Sequence, residues 1–381
     1  MNYDFSPLTN YLNSLCKNNK FPGVSIVVSK EHNEVFSYHY GFTNNFDNIA
    51  LNGDETYHLY SCSKPLTIAG CMRLYERGLL DLDAPVKDYI PEFSQAFLLD
   101  GDKKVKPTRD MTIKNLCTMT AGFNYQILGK KPFDELLNTD KVLSALDFAK
   151  AAIKSPLVFN PGDKFQYSIC LDILGGVAEV ITGKRFDQFM QDEVFTPLEM
   201  NNTKFLTDVA ILSKCIVDDT FDCVTKKIHR NPNPFLIKNL SYRLPSGGAG
   251  IASTKKDYAI FADTMACGGT AKNGYQLLKP ETIKLIHAEH LSSFSCDSEF
   301  TCPAGKGYGY GLGVRTLVSK DDGQKSPIGE FGWDGACGCY VLMDTTNKLS
   351  IFFATNLGNW VEAANCPHAP IRDLTYEILG L

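Results

Sequence analysis

The strand-like segments of this chain lie at its two ends, and most of the stretch between them reads as helix. VSIVVSK (24–30) and EVFSYHYG (34–41) are rich in β-branched and aromatic residues around Glu31-His32-Asn33, which predicts a hairpin. After residue 305, GYGYGLGVRTLV, GCYVLMDTT and LSIFFATN alternate or run apolar, with Asp344–Lys348 as a turn. Segments so far apart in sequence imply one sheet assembled from both ends of the chain, with a helical lobe inserted between them.

The spacing predicts a helix over 63–80, with Pro65 suited to its first turn. Phe5, Leu8, Leu12 and Leu15 give an amphipathic opening helix over 5–18. Further helical candidates are 112–121, 139–154, 170–183, 185–193, 254–268, 280–290 and 369–380. No repeat, low-complexity tract or linker interrupts the pattern. The 381 residues are therefore expected to form one interleaved α+β domain, with an α/β lobe of approximately 1–60 and 241–381 and a helical lobe of approximately 61–240.

Composition removes several function classes. A formal charge of -5 leaves no basic footprint for nucleic acid. No run reaches the roughly 20 apolar residues of a membrane span. The first residues lack the basic, apolar and small-residue order of a signal peptide, so a cytoplasmic location is expected. The thirteen cysteines include no CxxC pair and sit mostly in apolar runs, as free thiols do in a reducing compartment. Cys337 and Cys339 would share a strand face, but no second pair completes a zinc site. His287 and His290 lack the HExxH spacing, so no metal or cofactor is expected. Oligomeric state is not legible.

The chemistry centres on Ser61-Cys62-Ser63-Lys64. In a helix beginning near Ser61, residues 61 and 64 share a face. A serine hydroxyl is a poor nucleophile until a neighbouring base takes its proton. Amide N–H groups at a helix start also favour a developing oxyanion. Alone, this spacing is as compatible with a capped helix and a solvated lysine. Three further segments accompany it: Asn160–Ser168 leading into Tyr167, the Gly-rich turn Ser246–Ile251, and Gly332-Trp333-Asp334-Gly335-Ala336.

Order and flanks together resemble the class C β-lactamase, D-alanyl-D-alanine carboxypeptidase and carboxylesterase superfamily, over roughly residues 20–360. The blocks that carry the likeness include PGVSIVVS (22–29), YSCSKPLT (60–67), MTIKNLCTMTAGF (111–123), FNPGDKFQYS (159–168), SGGAGIASTKKDYAIFA (246–262) and FGWDGACG (331–338). The resemblance implies a β-lactamase/transpeptidase-like fold, an antiparallel sheet flanked by helices with the active site in the groove between lobes. It implies Ser61 as acylated nucleophile, Lys64 as its activating partner, Tyr167 as proton-shuttling base, and the amides of Ser61 and Ala336 as oxyanion hole.

Two departures shape the expected substrate. Lactam-cleaving members carry Tyr-x-Asn, and here Ile169 stands at the Asn position. They carry Lys-Thr-Gly or His-x-Gly, and here the third motif is Trp333-Asp334-Gly335. The lost lysine would have paired with a substrate carboxylate, whereas Trp333 offers an apolar face. Asp334 would disfavour anionic substrates if its side chain faced the site. This pattern resembles the esterase and acyltransferase branch. A carboxylesterase acting on a small or hydrophobic ester is expected, with little or no β-lactamase activity. The alternatives are acyl transfer to a hydroxylated metabolite, a β-lactamase or D-Ala peptidase, and a binding module that has kept the fold. Tyr308 and Tyr310 read as sheet packing, and Asp172 and Glu179 as local structural partners. Specificity is assigned to 124–140, 206–245 and 291–306, which have no readable pattern.

Overall fold

The computed structural model describes residues 3–17, 21–139, 142–230, 242–291, 306–320, 324–364 and 366–381. Seven antiparallel strands form the main sheet, in the order Tyr308–Tyr310, Arg315–Leu317, Phe331–Asp334, Tyr340–Asp344, Leu349–Ala354, Gly23–Lys30 and Asn33–Gly41. The N-terminal hairpin is thus zipped onto the last long strand, in the register Ser25↔Ala354 to Lys30↔Leu349. The expected α+β architecture, one sheet from both chain ends, is what the chain adopts.

Side-chain alternation along the central strands builds two cores. Ile26, Val28, Tyr340, Leu342, Ile351 and Phe353 face the helices Ser6–Lys17 and His368–Leu379. Val341, Met343, Phe352 and Ala354 face the opposite way, into the larger core shared with the helical lobe. On that side Tyr258 of the helix Lys255–Ala266 stacks on Phe352 at 4.3 Å.

Between the two ends of the sheet, the helices Ser63–Glu76, Ala145–Ala152 and Cys170–Thr182 supply large buried faces. Gly176 lets two of them approach: a Cβ there would lie 2.9 Å from the Ala145 carbonyl oxygen. The Glu179 carboxylate accepts amide hydrogen bonds from Ala145, Leu146 and Phe186 at 3.1, 2.9 and 2.9 Å, and so caps two helix starts at once.

Several helices are shorter than their sequence patterns. The 63–80 helix ends at Glu76, ahead of Gly78 at φ 69. The 139–154 candidate begins only at Ala145, where Ser144 and Asp147 form a capping box; residues 140 and 141 of it lie outside the described residues. The 112–121 candidate reduces to Ile113–Cys117, and the left-handed backbone of Met119 stops it from continuing. The 185–193 candidate is Phe186–Met190 followed by a π-helical turn.

Behind the sheet lies a fully buried cation. Arg315 sits 3.7 Å from Glu330 and 3.6 Å from Asp334, and donates to the Val341 carbonyl at 2.9 Å. Burial pushes the Glu330 carboxyl up, and Arg315 opposes that push. Arg315→Met should therefore remove the cation shared by two buried carboxylates and cost about 3–5 kcal/mol, read as a lower urea midpoint at unchanged slope.

Candidate active site

The short strand Thr56–His58 pairs with Ile251–Thr254, and the Leu59 amide extends that ladder to the Ile251 carbonyl at 3.0 Å. The chain then turns sharply. Tyr60 has φ 47, a left-handed conformation that costs a non-glycine residue on the order of 1–3 kcal/mol. Its ring stacks on His58 at 3.6 Å and its hydroxyl donates to Asp218 at 2.7 Å, which holds the strained residue in place. Ser61 follows at once, half-buried in the turn Tyr60–Cys62 that runs into the helix Ser63–Glu76.

Lys64 is completely buried. Its Nζ donates to Ser61 Oγ at 3.1 Å and to the Gly248 carbonyl at 2.7 Å, and lies 4.7 Å from the centre of the Tyr167 ring. Gly248 comes from the Gly-rich turn, which leads into the strand Ile251–Thr254 and not directly into a helix. Its amide in turn donates to Asp172 at 3.1 Å, and the Ser246 hydroxyl donates to the same carboxylate oxygen. Burial pushes the Asp172 carboxyl up, against the Ser246 hydrogen bond and the nearby charge of Lys64.

Tyr167 stands in an aromatic wall. Its ring lies 5.3 Å from Trp333 and 5.8 Å from Tyr125, and Tyr310 meets Trp333 edge-on at 5.2 Å. The Trp333 indole N–H, which can only donate, reaches the Tyr167 oxygen at 3.0 Å. Burial, then the neighbouring Tyr167 phenol, keeps the Tyr125 proton firmly on its oxygen. Ile169 lies beside this wall, lining a small cleft with Tyr125, Leu128, Phe148 and Leu244.

The third motif meets the serine turn edge to edge. Cys62 Sγ contacts the carbonyls of Trp333 at 3.6 Å and Cys339 at 3.4 Å. Gly335 is forced by proximity: a Cβ there would sit 2.6 Å from the Leu59 carbonyl oxygen. Ala336 is exposed at the turn that follows. Among the described residues, no backbone hydrogen bond outside the regular helices and strands engages the amide of Ser61 or Ala336. Gly335→Ala should push the strand end from Leu59, at about 1–3 kcal/mol of stability, read as a lower urea midpoint.

Asp334 corrects one expectation. Strand alternation turns its side chain to the opposite face from Trp333, where Arg315 lies 3.6 Å away and His368 Nδ1 3.0 Å away. Burial raises its carboxyl, but Arg315 and His368 outweigh burial and hold it below the usual carboxylate range. It is a neutralised partner behind the sheet, so it presents no charge to a substrate. Tyr308 also faces that side, its hydroxyl on Glu330. Sequence reasoning did not single out Tyr60, Asp218 or Tyr125, and treated Asp172 as only a local partner. Within the segments assigned to specificity, residues 140, 231–241 and 292–305 lie outside the described residues.

Comparison with known proteins agrees with this fold. The family model described as Beta-lactamase matches residues 8–370. Esterase EstB of Burkholderia gladioli is 26% identical over 323 residues, which span 80% of this chain and 78% of that protein. Among solved structures, EstCE1, described as a hydrolase with promiscuous acyltransferase activity, superposes with a TM-score of 0.79 at 23% identity, over 97% of both chains. Unliganded simvastatin synthase (LovD) from Aspergillus terreus gives 0.77 at 20% identity, again over 97% of both chains. Among the described residues, no helix is long and apolar enough to cross a membrane.

Proposed function

The chain belongs to the beta-lactamase family, and from that premise we propose that it is a serine hydrolase that forms an acyl-enzyme on Ser61 and cleaves small or hydrophobic carboxylic esters. One observation carries the reading: a fully buried lysine holds the Ser61 hydroxyl at 3.1 Å with the Tyr167 ring 4.7 Å from its Nζ. A lysine kept only for solubility would not be buried.

In the proposed reaction Tyr167 acts as a phenolate: it takes the Ser61 proton as Ser61 Oγ attacks the ester carbonyl, with the Lys64 ammonium steadying the developing negative charge. The tetrahedral oxyanion is taken by the amides of Ser61 and Ala336. The bond to the alkoxy group then breaks, and Tyr167 returns the proton to the departing alcohol. Water repeats the sequence on the acyl-enzyme and releases the acid. Trp333 donates to the Tyr167 oxygen, so it steadies negative charge there while lending an apolar wall to the acyl or alkoxy group. No cofactor or metal takes part in this scheme.

The names of EstB and EstCE1 support ester cleavage, and the promiscuous acyltransferase description of EstCE1 favours a second reading in which an alcohol replaces water at deacylation. Ile169 and Trp333 stand where a lactam-cleaving enzyme presents an amide and a cation, so a chromogenic cephalosporin should turn over far more slowly than a p-nitrophenyl ester. The test is hydrolysis of p-nitrophenyl acetate and butyrate, with mass spectrometry of the quenched enzyme. An acyl mass on the peptide containing Ser61 supports the proposal. Absence of both turnover and adduct, or preferential lactam cleavage, overturns it.

A further inference from the structure

Away from Ser61, the hairpin turn between Gly23–Lys30 and Asn33–Gly41 docks on the C-terminal end of the helix Lys255–Ala266. Glu31 and His32 both occupy left-handed backbone, φ 50 and 65, where such turns ordinarily use Asn and Gly. The strained conformation aims His32 at the helix. Its Nδ1 lies 2.7 Å from one oxygen of Asp263, and its amide donates to the other at 3.2 Å. Cys267, four residues beyond Asp263 and so on the same helix face, places its sulfur 3.7 Å from Asp263 Oδ1. The His32 backbone also faces that sulfur.

Among the described residues, these three side chains are the group of metal-ligating atoms that converges: all lie within 4.8 Å of one another. We propose that His32, Asp263 and Cys267 form a binding site for zinc, or a similar divalent transition metal, that clamps the hairpin turn to the helix. Ligands around a tetrahedral zinc stand roughly 3.3–3.8 Å apart, given its usual bond lengths. Modest side-chain adjustment from the observed spacings reaches that geometry. The mixed nitrogen, oxygen and sulfur donor set argues against calcium or magnesium, which take oxygen ligands. The His32 side chain is 32% exposed, so water has access to the fourth position. Burial pushes the Cys267 thiol up to about 12, with Lys348 opposing the rise, so a bound metal would displace the thiol proton.

A plain His32–Asp263 ion pair is the competing explanation, and it needs no Cys267. Cobalt(II) distinguishes the two, because thiolate ligation gives a charge-transfer band in the near ultraviolet. Reduced, metal-free protein titrated with cobalt(II) should show that band with a one-equivalent end point, and zinc should displace it. Cys267→Ser should abolish the band, and His32→Gln should weaken binding by about tenfold or more. Zinc should raise the Tm of the parent chain and leave that of Cys267→Ser unchanged. The proposal is overturned by the absence of a band, by a band that survives Cys267→Ser and so belongs to another of the thirteen cysteines, or by a His32→Gln variant that loses metal-free stability without any change in cobalt binding.

Discussion

Ser61→Ala is expected to lower p-nitrophenyl butyrate hydrolysis by on the order of 10⁴-fold or more and to remove the acyl adduct altogether. Every covalent step of the proposed reaction passes through that oxygen, and a neighbouring hydroxyl is badly placed to replace it. Ser63, two residues on, is buried in the first turn of its helix and accepts a hydrogen bond from the Ile251 amide at 3.1 Å. Ser246 is spent on Asp172. Ser63→Ala is the informative control. It should lose about 1 kcal/mol through its buried hydrogen bond and keep turnover within about tenfold. Ser61→Ala should stay within about 0.5 kcal/mol of the parent, because Lys64 keeps the Gly248 carbonyl as acceptor. Activity of Ser61→Ala within about tenfold of the parent would move the nucleophile elsewhere.

The pairing of Ser61 with Lys64 was legible because helical spacing brings residues three apart together wherever the helix sits. The main sheet was legible for a similar reason, since long alternating runs such as 24–30 and 349–356 carry their own period. The small sheet beneath the serine was not. Its strands Thr56–His58, Lys204–Phe205 and Ile251–Thr254 are too short to show a period, and they become strands only by distant pairing, Thr56 with Thr254 and Lys204 with Ala252. The orientation of Asp334 depended on a boundary the sequence leaves open. Once Phe331–Asp334 is known to be a strand, period two puts Trp333 and Asp334 on opposite faces. Tyr125 and the link from Asp172 through Gly248 to Lys64 are tertiary arrangements. Tyr125 sits in a short turn of a segment with no periodicity, and Gly248 carries no side chain to mark it.

That link sets up the second large effect. Lys64→Met keeps a long apolar stem in the buried slot but removes the charge beside Ser61. Turnover should fall by about 10²–10⁴-fold, the range ordinarily lost with a positioned proton-transfer group. Stability should fall too, because the Gly248 carbonyl loses its 2.7 Å donor inside the protein, at about 1–3 kcal/mol. The pH dependence of that loss is diagnostic. Burial raises the Asp172 carboxyl in the parent, and the Lys64 charge is one of the influences restraining the rise. Without Lys64 the folded-state value climbs further above the unfolded one. A carboxyl raised on folding favours the folded state while it is protonated, and this advantage is lost as pH rises through its folded value. The gap in stability between Lys64→Met and the parent should thus stay near the hydrogen-bond loss alone at mildly acid pH and widen beyond it toward neutrality. Double substitution with Asp172→Asn should flatten it. A gap that is constant with pH would mean that Lys64 and Asp172 are not coupled, and that Gly248 is held by each independently.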